Sequence, residues 1–120
     1  MAKNLEISLL LDFYGEMLTE KQREVIELYY NEDLSLSEMA DYFEISRQGV
    51  RDNIKRAEAS LLEFEEKLGL VKKFAECRAG IDKIVANAKD IVFYLEEYPE
   101  LNKLSKAASE IIEVAGTINI

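Results

Sequence analysis

The chain has 120 residues, 48% of them hydrophobic, which is enough for the core of one small domain. It carries 15 basic and 24 acidic residues, a formal charge of −9, and it contains no histidine. The commonest general base and metal ligand is therefore absent, and neither a glycine-rich phosphate loop nor a zinc-binding cysteine pair is present. We expect no enzymatic activity, no metal and no cofactor.

Composition also predicts the fold class. One proline and five glycines leave little room for strands and turns, so we expect an all-α protein. The single Cys77 has no partner for an internal disulfide and is most simply a small buried residue. No apolar run has the length of a membrane span or of a signal peptide, which predicts a cytoplasmic protein.

The first two predicted helices are separated by a capping signal. Apolar spacing predicts a helix from Leu5 to Tyr14. A capping box of Thr19 and Gln22 then begins a second helix, which ends near Asn31. The residues expected to face the core are Leu9, Leu10, Phe13 and Met17 in or after the first helix and Val25, Ile26, Leu28, Tyr29 and Tyr30 in the second.

The next stretch predicts a short helix, a tight turn and a long helix. A capping box of Ser35 and Glu38 opens the short helix, which carries Met39 and Phe43, and "EIS" ends it. Small Ala40 lets the two helices cross closely, while Ile45 and Val50 are expected to fill the wedge between them. This is a helix-turn-helix without a wing, and its second helix is the expected DNA reader.

That second helix, here called the recognition helix, is expected to begin after its cap, Ser46, and to run to about Lys67, with Gly69 as a left-handed stop. Its predicted apolar seam consists of Val50, Ile54, Ala57, Leu61, Phe64 and Leu68. The candidate nucleic-acid-binding residues lie on the other side of the helix, in its first turns. They are Ser46, Arg47, Gln48, Arg51, Lys55 and Arg56, with Asp52 among them.

Local charge separates this helix from the rest of the chain. Residues 46–56 hold four basic residues and one acidic residue, a local charge of +3. Residues 1–70 together hold 8 basic and 16 acidic residues. Because salt screens charges beyond about 10 Å, a phosphate at the helix responds mainly to the local face. The alternative is a protein-binding module in which Arg51 pairs with Glu58.

Residues from Leu70 predict two long amphipathic helices, the first with a break of regularity at Gly80 and the second beginning at Pro99 and ending at Gly116. Their apolar residues are Phe74, Ile81, Ile84, Val85, Ala88, Ile91, Val92 and Leu95, then Leu101, Leu104, Ala108, Ile111, Ile112 and Ala115. Two helices cannot bury these faces alone, which predicts a homodimer. The expected organisation is a helix-turn-helix domain at 1–69 and a helical extension for packing and dimerisation at 70–120.

Two families resemble this chain. The stretch "LTEKQREVIELYYNEDLSLSEMADYFEISRQGVRDNIKR" resembles the promoter-reading carboxy-terminal domain of bacterial sigma factors, although Gly49 stands where that family usually has a longer side chain. More closely, "DFYGEMLTEKQ", "LYYNEDLSLSEMA", "SRQGVRDNIKR" and "EKLGL" resemble the YlxM family, small bacterial helix-turn-helix proteins encoded beside the signal recognition particle GTPase.

The resemblance implies two alternative functions. The first is a DNA-binding regulatory protein of the signal recognition particle pathway, with duplex DNA as its partner. The second is an accessory module that binds the signal recognition particle protein or RNA instead of DNA. The helix-turn-helix motif favours the first, whereas the acidic body suits a basic partner and favours the second.

Overall fold

In the computed structural model, residues 4–118 are described, and this part of the chain contains six α-helices and no strand. The all-α prediction is confirmed. The helices are α1 Leu5–Tyr14, α2 Glu20–Tyr30, α3 Leu36–Phe43, α4 Arg47–Leu68, α5 Leu70–Leu95 and α6 Asn102–Thr117, with 3-10 turns at Gly15–Met17 and Pro99–Leu101. None of the helices in this range is both long and apolar enough to cross a membrane.

The chain divides into two compact units, Met1–Val71 and Lys72–Ile120. In the first unit, α4 is the central helix and packs against α1, α2 and α3. Two adjoining clusters of buried side chains form the core. The cluster around α1 contains Ile7, Leu10, Leu11, Tyr14, Leu18, Ile26, Ala57 and Leu61, and the cluster around α3 contains Val25, Tyr29, Met39, Val50 and Ile54.

The predicted helix starts and stops of the first unit are confirmed. Both capping boxes form: the hydroxyl of Thr19 accepts from the backbone of Gln22, and that of Ser35 accepts from Glu38, with the reciprocal bonds also present. Gly69 ends α4 at φ 62°, a left-handed conformation that glycine adopts without a steric penalty.

Three residues of this unit do not occupy the predicted core. Leu9 and Met17 are exposed, because α1 turns Ile7, Leu11 and Tyr14 inward instead, and the chain after α1 buries Leu18. Leu68 is 51% exposed, since the apolar seam of α4 is fully buried only as far as Leu61.

Ile45 was expected beside Val50 in the wedge between α3 and α4, and this prediction is wrong. Val50 is 1% exposed, as predicted, whereas Ile45 is 41% exposed. The turn places Ile45 at the rim of the crossing, where its Cδ1 lies 3.5 Å from the position that a Cβ atom at Gly49 would occupy.

A hydrogen-bond network joins α1 to the end of α4 and the start of α5. The Tyr14 hydroxyl donates to Oε1 of Glu65 at 2.6 Å and accepts from the backbone N–H of Leu70 at 3.0 Å. The same Glu65 oxygen accepts from the N–H of Val71 at 3.1 Å. Two of the amides that begin α5, which have no intrahelical acceptor, are satisfied in this way.

The second unit is described by itself. The loss of regularity expected at Gly80 is not found, because α5 continues through this residue. Pro99 begins a 3-10 turn and not the helix itself, and α6 starts at Asn102. Within residues 72–118 only Ala88, Leu95 and Ala108 are buried. Several residues that were expected to be buried are instead at least one-third exposed. They are Phe74, Ile84, Ile91, Leu101, Leu104 and Ile111, and the predicted burial of Cys77 is likewise wrong.

The different environments of Val50 and Ile45 provide a matched test of the helix crossing. We expect Val50→Asp to abolish the cooperative thermal unfolding transition, because it places an unpaired carboxylate in the core. Ile45→Asp adds the same charge at the rim and should retain the helical circular dichroism signal and most of the melting temperature. Equal losses in the two variants would contradict the crossing described here.

The Tyr14 network predicts a hydroxyl-specific loss of stability. Tyr14→Phe should lower the melting temperature by several degrees, because Leu70 loses an acceptor and Glu65 loses a donor. Tyr42→Phe is the control: its exposed hydroxyl makes only a 3.3 Å bond to Glu24, so the melting temperature should barely change. Melting temperatures are compared by circular dichroism.

The same network predicts a pH dependence. Burial, and then the hydrogen bond to Glu65, raises the pKa of Tyr14 above its ordinary value of 10.0. A raised folded-state pKa contributes stability fully below the unfolded pKa, and the contribution is lost as pH rises through the folded value. Above about pH 10, the melting temperature of the wild type should therefore fall more steeply than that of Tyr14→Phe. Parallel curves would contradict this role.

Candidate nucleic-acid interface

The turn between α3 and α4 sets the direction of the recognition helix. Glu44 ends α3 in the left-handed conformation at φ 56°, and the N–H of Ile45 donates back to the carbonyl of Ala40 at 3.1 Å. Ser46 then caps α4, because its hydroxyl accepts from the N–H of Gly49 at 2.9 Å. With Val50 buried one turn further on, the start of the helix is fixed by hydrogen bonds and by packing.

The structure places all four predicted basic side chains on the surface. Arg47, Arg51, Lys55 and Arg56 are each exposed, and none of them forms an ion pair with any residue in the range 4–118. At a rise of 1.5 Å per residue they lie along about 14 Å of helix. These cations are therefore available to negative groups outside the chain.

The pairing of Arg51 with Glu58, on which the alternative interpretation rested, is not formed. Glu58 instead accepts a 2.6 Å hydrogen bond from the hydroxyl of Tyr30, which joins α4 to α2. Burial, followed by this bond, raises the pKa of Tyr30 above its ordinary value of 10.0. Glu58 thus supports the packing of the helices, and Arg51 remains unpaired within the described residues.

Gln48 and Asp52 form a polar pair among these cations. The amide nitrogen of Gln48 donates to Oδ1 of Asp52 at 3.0 Å, one turn apart on an exposed face. The bond orients the Gln48 amide along the helix. In the major groove, a glutamine amide such as that of Gln48 can contact the edge of adenine, and a carboxylate can contact the amino group of cytosine.

Gly49 does not belong to this exposed face. A Cβ atom added there would lie 3.2 Å from the hydroxyl oxygen of Ser46 and 3.5 Å from Cδ1 of Ile45. The position faces the turn, where space is tight, and a long side chain would displace the cap. The glycine therefore removes no base contact from the outward face of the helix.

One cation near this surface was missed in the sequence. Lys21, at the start of α2, lines an open depression of about 220 Å³ together with Asn53 and Arg56 of α4. No local pattern links these residues, because only the packing of α2 on α4 brings them together. Lys21 extends the basic surface beyond the recognition helix.

The neighbouring α3 carries the opposite charge. Glu38 and Asp41 on α3, and Glu44 after it, are exposed and acidic. In helix-turn-helix complexes the first helix crosses the DNA backbone, so carboxylates there weaken its contact with phosphates. The surface that suits an anionic partner is therefore narrow and centred on the first half of α4.

The cap of α4 supplies a test of how this surface is held in place. Ser46→Ala removes the acceptor for the Gly49 amide and should reduce the free energy of unfolding by about 1 kcal/mol. Ser46→Asn retains a capping oxygen without adding charge and should stay close to the wild type. Urea denaturation measures both variants. Equal stability of Ser46→Ala and the wild type would show that the cap contributes nothing.

Comparisons with known proteins agree with this geometry. The UPF0122 family model, described as "Putative helix-turn-helix protein, YlxM / p13 like", matches residues 1–98. A UPF0122 protein of Thermoanaerobacter sp. (strain X514) is 49% identical over 109 residues, which cover 91% of this chain and 92% of the relative.

Two further relatives come from other genera. A UPF0122 protein of Acetivibrio thermocellus is 45% identical over 116 residues, which cover 94% of this chain and 99% of the relative. A UPF0122 protein of Bacillus cereus (strain AH187) is 44% identical over 113 residues, which cover 94% of this chain and 96% of the relative. The chain belongs to the UPF0122 family of YlxM/p13-like helix-turn-helix proteins.

Proposed function

We propose that this protein is a cytoplasmic regulatory protein that binds duplex DNA with the first half of α4. The observation that carries the proposal is the set of four exposed cations, unpaired within residues 4–118, on a capped helix whose opposite face is buried in the core. A helix of this kind enters the major groove and contacts bases with its N-terminal residues.

The roles of the side chains follow from their position on the helix. Arg47 and Arg56 lie at the flanks of the outward face, where the two phosphate backbones border the groove, and they would position the protein. Gln48 and Lys55 lie opposite the buried seam and would reach deepest, whereas Arg51, about 100° around the helix from Val50, lies to one side of them. Of these, Gln48, held by Asp52, is suited to bidentate contact with adenine.

The small size of this surface favours two copies acting together. Four cations within an acidic unit neutralise only three or four phosphates, which gives modest affinity to one copy. A homodimer joined through the C-terminal helices would double the number of contacts. We include such a dimer in the proposed function.

The pathway we assign is that of the signal recognition particle, and its support is the gene neighbourhood typical of the YlxM family. The acidity of residues 1–70 favours a second candidate, an accessory module for the signal recognition particle protein or RNA. A basic RNA-binding protein would be attracted to the carboxylates of α3, whereas a DNA duplex would be attracted to α4.

DNA binding is tested by its dependence on salt. If the four cations contact phosphates, log affinity should fall against log salt with a slope near −3 per copy and about −6 for a dimer. Arg51→Ala combined with Lys55→Ala should reduce the magnitude of this slope by about 2 per copy and leave the fold intact. Fluorescence anisotropy with duplex DNA across a salt series measures both values.

The control variant removes the same number of positive charges at sites outside the proposed DNA surface. Arg23 and Lys67 form exposed ion pairs with Glu27 and Glu63, away from the start of α4. Arg23→Ala combined with Lys67→Ala should leave the slope unchanged. Wild-type binding weaker than about 10⁻⁴ M at physiological salt would exclude the DNA-binding function and leave the accessory module.

A further inference from the structure

The second unit exposes large apolar side chains that its two helices leave uncovered. The helices jointly line two open apolar grooves of about 450 and 560 Å³, which share Ala107 and Ile111. Six aliphatic side chains of this surface are 44–56% exposed: Ile84, Ile91, Leu104, Ile111, Val114 and Ile118. We call these six residues the apolar face.

The spacing of the apolar residues is that of a helical bundle. In α5 they recur in alternating steps of three and four, as Phe74, Cys77, Ile81, Ile84, Ala88, Ile91 and Leu95. In α6 and the residues that flank it, the same alternation gives Leu101, Leu104, Ala108, Ile111, Ala115 and Ile118. A repeat of 3.5 residues keeps one stripe of a helix directed at a neighbouring helix along its whole length.

The stripe is wider than one neighbouring helix requires. Positions next to it are also apolar, as with Val85 and Val92 on α5 and Ile112 and Val114 on α6. A helix with so wide an apolar surface is suited to contact two neighbours, as in a four-helix bundle. Within the second unit each of these helices has only one neighbour, because α5 and α6 are its two helices.

We propose that the apolar face is covered by the same face of a second copy, so that two α5–α6 pairs form one four-helix bundle. This inference rests on the proposed function, because it supplies the surface for the dimer included there. Assembly through this face would carry two recognition helices in one particle.

Charge favours a second copy as the occupant. Residues 72–120 hold 7 basic and 8 acidic residues, so their net charge is −1, whereas the rest of the chain has a net charge of −8. Two near-neutral surfaces meet without net repulsion, and two copies of the first unit would repel each other. A strongly basic partner would instead be attracted to the first unit.

The second unit also needs apolar contacts beyond those between its own two helices. Only three residues in the range 72–118 are buried, and two of them are alanines, which contribute little apolar area. Small domains are marginal even when they bury most of their apolar surface, and association is the usual alternative to a disulfide or a metal. The single cysteine excludes an internal disulfide.

Sedimentation equilibrium of the full chain at micromolar concentration tests the proposal. The wild type should have twice the 13.8 kDa mass of one chain. Ile84→Asp and Ile111→Asp should each be monomeric, because two copies of the new carboxylate would be buried in the bundle. Ala86→Asp is the control, since it adds the same charge on an exposed position of α5 outside the stripe, and it should remain dimeric.

A milder variant guards against loss of folding. Ile111→Ala keeps the helix and adds no charge, and it should raise the dissociation constant of the dimer at least tenfold. A monomeric wild type, a species other than a dimer, or Asp variants that remain dimeric while Ala86→Asp dissociates would overturn the proposal. Unchanged dimer affinity in Ile111→Ala would overturn it as well.

The two proposals fail in distinguishable ways. A wild-type dimer that does not bind DNA would contradict the proposed function and leave the bundle intact. DNA binding by a monomeric wild type, with a salt slope near −3, would contradict the bundle and the dimer and retain the DNA-binding function.

Discussion

Burial of one stripe along α4 is the constraint on which the rest of the first unit depends. Ala57 and Leu61 contact the α1 cluster, and Val50 and Ile54 contact the α3 cluster, so a single helix belongs to both parts of the core. Each residue of a helix advances about 100° around its axis. With Val50 fixed inward, Gln48 and Lys55 are directed outward and Arg51 is directed to the side. The packing that stabilises the core therefore also orients the candidate DNA surface.

Hydrogen bonds to carboxylates add to that constraint. Glu65 and Glu58 on α4 accept from the hydroxyls of Tyr14 and Tyr30, so two of the many acidic residues hold neighbouring helices. Other carboxylates remain exposed and give the unit its negative field. The first half of α4 is distinct because its cations have no ion-pair partner among residues 4–118. A phosphate within about 10 Å responds chiefly to those cations, since more distant charges are screened.

What the sequence predicted correctly depends on short-range chemistry. Capping boxes involve residues three positions apart, and Gly69 acts on its own helix end, so both can be recognised without knowledge of the packing. The core face of α1 was misassigned because "LLL" offers apolar side chains in several directions, and only the position of α4 decides between Leu9 and Leu11. The site residues were placed on an exposed face from the helical period alone. Lys21 was missed, because its proximity to Arg56 exists only after α2 packs on α4. The functional division at residues 69 and 70 stays a prediction.

The two units differ in how they satisfy the same hydrophobic pattern. In the first unit, α1, α2 and α3 pack against α4, and the seam of α4 is buried within one chain as far as Leu61. In the second, the helical period is just as regular, yet Ile84, Ile91 and Ile111 stay about half exposed. The spacing of apolar residues shows which face of a helix is apolar, but it does not show which chain covers that face. The predicted apolar faces are present, whereas the prediction that they are buried is wrong for a single chain. The acidic residues, which would oppose association of two copies, are concentrated in the first unit. The proposed DNA contact and the proposed bundle thus make opposite demands on charge, and the residues that would meet them belong to different units.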